Sequence, residues 1–155
     1  MRAEIGEAYE ASTTALEAAK GQRLSLRRAL AELEQVLAAT TDAVEGGLGD
    51  LTAAMLHLRT VWALHVDVTE APGGLYEEII ENAPRLANWI NRFKREHGSL
   101  AEAIERATAD LHGATALTPE LRDRLARLLA DLTRHRKRGY DLVYEAYHVD
   151  IGGES

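Results

Sequence analysis

The sequence predicts an all-α protein, an up-down-up-down antiparallel four-helix bundle, and three observations carry that prediction. Ala, Leu, Glu and Arg dominate its 155 residues, whereas the strand-favouring aromatics amount to one Phe, two Trp and five Tyr. Apolar residues recur at three-and-four spacing along four long segments. Glycine and proline fall between those segments, where helices stop. The chain reads as a single domain over 1–155 with a short tail from 148 to 155. A domain of this length buries roughly two-thirds of its unfolded surface, so it needs no disulfide or obligatory metal to fold.

The first segment runs from about Ala3 to Ala39 and places Ile5, Tyr9, Leu16, Leu26, Leu30, Leu33 and Leu37 on one face. Thr41, Asp42 and Glu45 form a capping signal for the second, whose stripe is Val44, Leu48, Leu51, Met55, Leu58, Trp62, His65 and Thr69. Ala71-Pro72-Gly73-Gly74 ends it. A short helical piece, Leu75 to Asn82, precedes a third long helix with Pro84 in its first turn, where a missing N–H costs nothing. Its stripe is Leu86, Ile90, Phe93, His97, Leu100, Ile104, Ala107 and Leu111, with Gly113 as terminator. Gly98-Ser99, followed by Glu102, is a second capping pattern at which this helix can kink or split. Thr118-Pro119-Glu120 starts the fourth helix, striped by Leu121, Leu125, Leu128, Leu132, His135, Gly139, Leu142 and Ala146. Asp150-Ile151-Gly152-Gly153 reads as the tail. A long coiled-coil dimer competes, but Ala, Gly, His and Thr interrupt the stripes too often for a zipper seam.

Composition also excludes function classes. Without cysteine there is no disulfide scaffold, cysteine nucleophile or zinc-thiolate site. Eighteen Lys and Arg against twenty-five Asp and Glu give a net charge of −7, which argues against nucleic acid as a partner. No apolar run reaches the ~18 residues of a membrane span and Met1 opens no signal-peptide pattern, so no membrane association and a cytoplasmic location are expected. Phosphate loops, nucleophile elbows and His-Glu-x-x-His helices are absent, and no catalytic residue is assigned. Residues 120–138 depart from the acidic balance, with Arg122, Arg124, Arg127, Arg134, Arg136, Lys137 and Arg138 against Glu120, Asp123 and Asp131. Such a run reads first as a solvated face. Tyr140, Tyr144 and Tyr147 form a ladder on the same helix and read as boundary packing.

Three of the four stripes carry one histidine at a core position: His65, His97 and His135. A neutral imidazole in a core needs partners for two ring nitrogens, and three on three helices point to a site, since bundle interiors build metal centres from facing side chains. His97 and His135 lie nineteen residues either side of Ala116, so an antiparallel hairpin sets them face to face. His65 reaches the same level if the 71–83 connection is more than a tight turn. His57 points about 80° away from His65, and His112 and His148 sit at helix ends. Iron or manganese in a bundle calls for carboxylates as well. Asp131 is four residues before His135; Asp67 and Glu70 flank His65, and Glu96 adjoins His97.

The stretch Leu64-His65-Val66-Asp67-Val68-Thr69-Glu70, the later Arg95-Glu96-His97-Gly98-Ser99-Leu100, and His135 resemble the hemerythrin-like, HHE cation-binding domains. The resemblance covers about residues 20–147. It implies a four-helix bundle holding a non-haem di-iron centre through histidines and carboxylates, for oxygen binding, iron handling or redox sensing. The chain departs from the family pattern at four places. Thr69 stands four after His65 where the family has Glu, and Ala101 four after His97 where it has His. Tyr140 stands five after His135 where it has an acid, and the first helix holds no histidine. The resemblance therefore implies a reduced site, mononuclear or vestigial, with His65, His97, His135, Glu70 and Asp131 as candidate ligands and iron, or else manganese or zinc, as the ion.

The alternative is a non-catalytic helical protein-protein interaction module without metal, in which the histidines are polar core residues. A protein partner, or a second copy of the chain, then docks on the basic face of the fourth helix or on the tyrosine ladder. A third class, an oxidoreductase using bound iron, needs open coordination positions and a substrate pocket.

Overall fold

The computed structural model describes residues 2–41 and 48–149, with side chains over 14–41 and 48–147. Among them are four long helices and one short one: α1 (Arg2–Ala39), α2 (Gly49–Glu70), α3 (Leu75–Asn82), α4 (Ala87–Gly113) and α5 (Pro119–Tyr144). A single 3-10 turn, Pro84–Leu86, leads into α4, and a π-helical turn, Glu145–Val149, follows α5. The long helices form an antiparallel four-helix bundle in which α1 packs on α2 and α5, and α4 packs on the same two neighbours. None of the described helices is long and apolar enough to cross a membrane.

The stripes fold inward as their periodicity requires. Every described member of the α2 and α4 stripes is buried, as are Leu26, Leu30, Leu33 and Leu37 of α1. Helix α4 runs unbroken through Gly98; the Ser99 hydroxyl donates to the Arg95 carbonyl at 3.3 Å, a bond within the helix and not a cap. At the start of α5, the Thr118 hydroxyl accepts from the Leu121 N–H at 3.1 Å, so this cap is built as its sequence predicts. Asp42 and Glu45 of the α2 capping signal, Val44 of its stripe, and the tail from Asp150 lie outside the described residues.

Two apolar clusters fill the interior. The larger one joins the second half of α1, the first part of α2, the second half of α4 and the first part of α5. The smaller collects Leu75, Tyr76 and Ile79 of α3 with Leu86, Ile90, Phe93 and Leu142. Helix α3 thus lies over one end of the bundle. Its approach depends on the turn before it: Gly73 adopts φ +75°, and a Cβ on Gly74 would meet the Val68 and Ala71 carbonyl oxygens at 2.7 and 2.8 Å. The seam between α1 and α5 is closed by Arg122, whose guanidinium donates to the Leu37 carbonyl at 2.8 Å and to the Thr40 carbonyl. It adds a donor at the end of α1, where the helical ladder runs out of N–H groups.

Candidate metal centre

The level between the two apolar clusters is occupied by histidine. Heptad-like spacing puts His65 of α2, His97 of α4 and His135 of α5 at core positions, and their relative exposures are 6%, 1% and 1%. One ring nitrogen from each lies within 4.8 Å of the other two. His97 Nε2 and His135 Nε2 are 3.1 Å apart, as the symmetric placement about Ala116 predicts. His65 joins them because α3 fills the 71–83 connection, which is therefore more than a tight turn. Trp62 stacks on His65 at 5.0 Å between ring centroids and meets His97 and His135 edge-on at 5.4 and 5.1 Å. On the opposite side Phe93 meets His135 edge-on at 5.1 Å. The three imidazoles are therefore walled by aromatic rings above and below.

Carboxylates hold two of the rings from behind. His97 Nδ1 is 2.6 Å from Glu70 Oε2, and His135 Nδ1 is 2.9 Å from Glu96 Oε1. Glu96 Oε2 in turn accepts from Arg138 Nη1 at 2.9 Å. An ionised carboxylate can only accept, so both Nδ1 atoms carry the proton and donate. Each neutral ring then presents a lone pair at Nε2, and these two lone pairs face one another at hydrogen-bonding distance with no hydrogen between them. The Tyr76 hydroxyl, 3.2 Å from His97 Nε2, donates to one of the two. Among the described residues, His65 has no hydrogen-bond partner at either ring nitrogen.

Protonation does not relieve the arrangement. Burial pushes His65 down to about 3, assisted by the positive charge that His97, His135 and Arg23 can carry. His135 is likewise pushed to about 3 by burial, and then by His97 and Arg138. Burial also lowers His97 and outweighs the Glu70 hydrogen bond and the charges of Glu70 and Glu96, which act upwards. Three neutral imidazoles whose nitrogens lie within 4.8 Å of one another, two of them backed by carboxylates, could hold a metal ion. Around an ion with bonds of about 2.0–2.1 Å in tetrahedral geometry, ligand nitrogens sit about 3.3 Å apart. The His97–His135 pair already has nearly that spacing.

The candidate carboxylates divide between the site and the surface. Glu70 reaches across to His97 on the neighbouring helix, as a supporting group behind a ring, whereas the sequence placed it beside His65 as a ligand. Asp131 stays out of the cluster: it is exposed and pairs with Arg134 at 3.5 Å. Four residues before His135 it is rotated about 40° on the helix, and Leu128 and Leu132 occupy the core side of that turn. Asp67, His57 and His112 are exposed, and the His148 side chain lies outside the described residues.

Sequence reasoning missed Tyr76 and Arg23 and left Glu96 as a neighbour of His97 without a role. Tyr76 enters from α3, whose packing only the folded chain fixes. Glu96 has a findable signal, since it is adjacent to His97 yet serves His135 across the helix pair. Three of the seven basic residues in the α5 run bind within the chain: Arg122 caps α1, Arg124 pairs with Asp110 at 2.9 Å, and Arg138 holds Glu96 and covers Phe93 at 5.3 Å. Compared with protein-family profiles, curated proteins and solved structures, the chain matches none.

Proposed function

We propose that this chain is a hemerythrin-like helical bundle with a reduced, mononuclear metal centre held by His65, His97 and His135, serving metal or oxygen binding or sensing. The observation that carries the reading is the confrontation of His97 Nε2 and His135 Nε2 at 3.1 Å while both Nδ1 atoms face carboxylates. A divalent cation resolves what neutral rings alone leave repulsive. The two orphan nitrogens of His65 support it independently, because a buried polar atom without a partner costs roughly 1–3 kcal/mol.

The donor set is three imidazoles, with Glu70 and Glu96 behind them and no carboxylate among the ligands. That set suits zinc as well as the iron that the family resemblance implies, and manganese least, since manganese favours oxygen ligands. When bound, such an ion supplies a Lewis acid with a position left open by three protein ligands. Glu70 and Glu96 fix the tautomers, Trp62 and Phe93 exclude water from two sides, and Tyr76 places a hydroxyl against His97.

The test is metal analysis of protein purified without a histidine tag, joined to thermal melts with added Fe(II), Zn(II) and Mn(II). One equivalent per chain is expected, with a melt raised by the bound ion. Two equivalents would indicate a dinuclear centre and overturn the reduced site. No metal, together with a melt that none of the ions moves, would leave an interaction module as the reading, with Tyr140 and Tyr144 as its exposed apolar surface.

A further inference from the structure

Ion pairs across the seam between α4 and α5 run in one sense, an acid on α4 meeting an arginine on α5. Glu96 pairs with Arg138 and Asp110 with Arg124, each at 2.9 Å. Between these two rungs the sense fails. The antiparallel register that sets His97 against His135 and Asp110 against Arg124 sets Arg106 against Arg127, and both arginines line one cleft. Neither guanidinium has a hydrogen bond or ion pair among the described residues. The two acids in the lining are committed elsewhere, Asp110 to Arg124 and Asp131 to Arg134.

The cleft is hollow because α4 turns Ala103 and Ala107 towards it, one turn apart, with the buried Leu128 of α5 completing an apolar floor. Its volume is about 200 Å³. A cavity of about 150 Å³ holds a benzene-sized molecule, so the space exceeds what an inorganic ion fills. Two guanidiniums offer planar forks of N–H donors that match phosphate oxygens, and a phosphate monoester near neutral pH carries about the two negative charges that offset them. A monocarboxylate would offset one. An uncharged ligand would leave the two cations facing each other.

We propose that this cleft binds a small phosphate monoester, its phosphate bridging Arg106 and Arg127 and its organic part lying on Ala103, Ala107 and Leu128. The site is independent of the metal reading. Arg127 stands eight residues before His135, about 12 Å along the helix, and the buried Leu128 and Leu132 lie between them.

The experiment is isothermal titration calorimetry of the full chain with phenyl phosphate, inorganic phosphate and phenol. Phenyl phosphate should bind at one equivalent per chain, inorganic phosphate at least tenfold more weakly, and phenol not at all. Arg106→Gln and Arg127→Gln, both at exposed positions where the fold tolerates the change, should each weaken phenyl phosphate at least tenfold. Ala103→Leu fills the floor while keeping both arginines, and it should lose the preference for phenyl phosphate over inorganic phosphate. Wild type that binds neither phosphate overturns the site. Equal affinity for phenyl phosphate in wild type and both arginine variants overturns the assignment to this cleft, and inorganic phosphate binding as tightly as phenyl phosphate overturns the role of the apolar floor.

Discussion

The larger apolar cluster and the histidine level above it are built on the same stripes of the same helices, and they solve opposite problems. Leu26, Leu33, Leu51, Leu58, Ile104, Leu125 and Leu132 expose at most 1% of their surface, and none brings a polar side-chain atom into the interior. The same stripes carry His65, His97 and His135, which are buried as well, with ring nitrogens that the described residues satisfy only in part. Burial is the same in both regions; the difference lies in how many groups are left asking for a partner. One region contributes stability outright, and the other gives some of it up to hold a constellation.

Truncation in the two regions breaks the comparison most strongly. Leu125→Ala is expected to cost about 2–5 kcal/mol, read from denaturant melts, because it removes buried contacts and leaves a cavity. His135→Leu in metal-free protein is expected to cost far less, since Leu suits the stripe and removes a lone-pair conflict. The same substitution should abolish stabilisation by metal, which for an ion at a hundred times its dissociation constant is about 2.7 kcal/mol in wild type. A His135→Leu protein that still gains stability from metal would show that the ion sits elsewhere.

Glu96→Gln comes next. It leaves the three nitrogens in place but removes the carboxylate behind His135, and metal affinity should fall about 10–100-fold. Unchanged affinity, measured by competition with a chelator, would make Glu96 a surface charge that happens to be near.

Acidity distinguishes the regions without any substitution. The folded-state values of His65 and His135 lie near 3, below the ordinary histidine value of 6.5. The unfolded chain therefore binds their protons first. Stability is complete above pH 6.5 and is lost as pH falls from there towards 3, by up to about 1.4 kcal/mol per pH unit for each ring. Metal-free His65→Leu/His135→Leu protein should show a flatter profile across that window. Smallest of all, Arg134→Gln on the exposed face should change stability by no more than about 0.5 kcal/mol, and larger losses would mean that its pair with Asp131 matters.

How much of this was legible in the sequence depends on the range over which the determinants act. Stripes, caps and breaks are local, so the four helices, the Thr118 cap and the inward aim of all three histidines could be read directly. The pairing of His97 with His135 followed from counting outward from one turn. Glu70, Asp131 and Tyr76 could not be placed in that way. Whether a carboxylate at the edge of a stripe turns inward depends on which residue fills the core beside it and which helix faces it. For Asp131 the core side was taken by leucines, and for Glu70 the partner lay on α4. The kink allowed by Gly98 did not form because α4 packs continuously against α2 and α5, and that packing outweighs a glycine's weak helical preference.

The indole of Trp62 makes the molecule its own spectrometer. Its ring lies within 5.4 Å of all three imidazoles, while the chain's other tryptophan, Trp89, packs against Phe93 at 6.2 Å in the smaller cluster. Indole emission is quenched by protonated imidazole and by open-shell metal ions at such range, so light from one side chain registers events among the histidines. Zinc, which has a filled d shell, should leave that emission in place where cobalt or iron dims it. With Trp89→Phe as background, the electronic character of whatever enters the histidine level can be followed in solution as the protein fills.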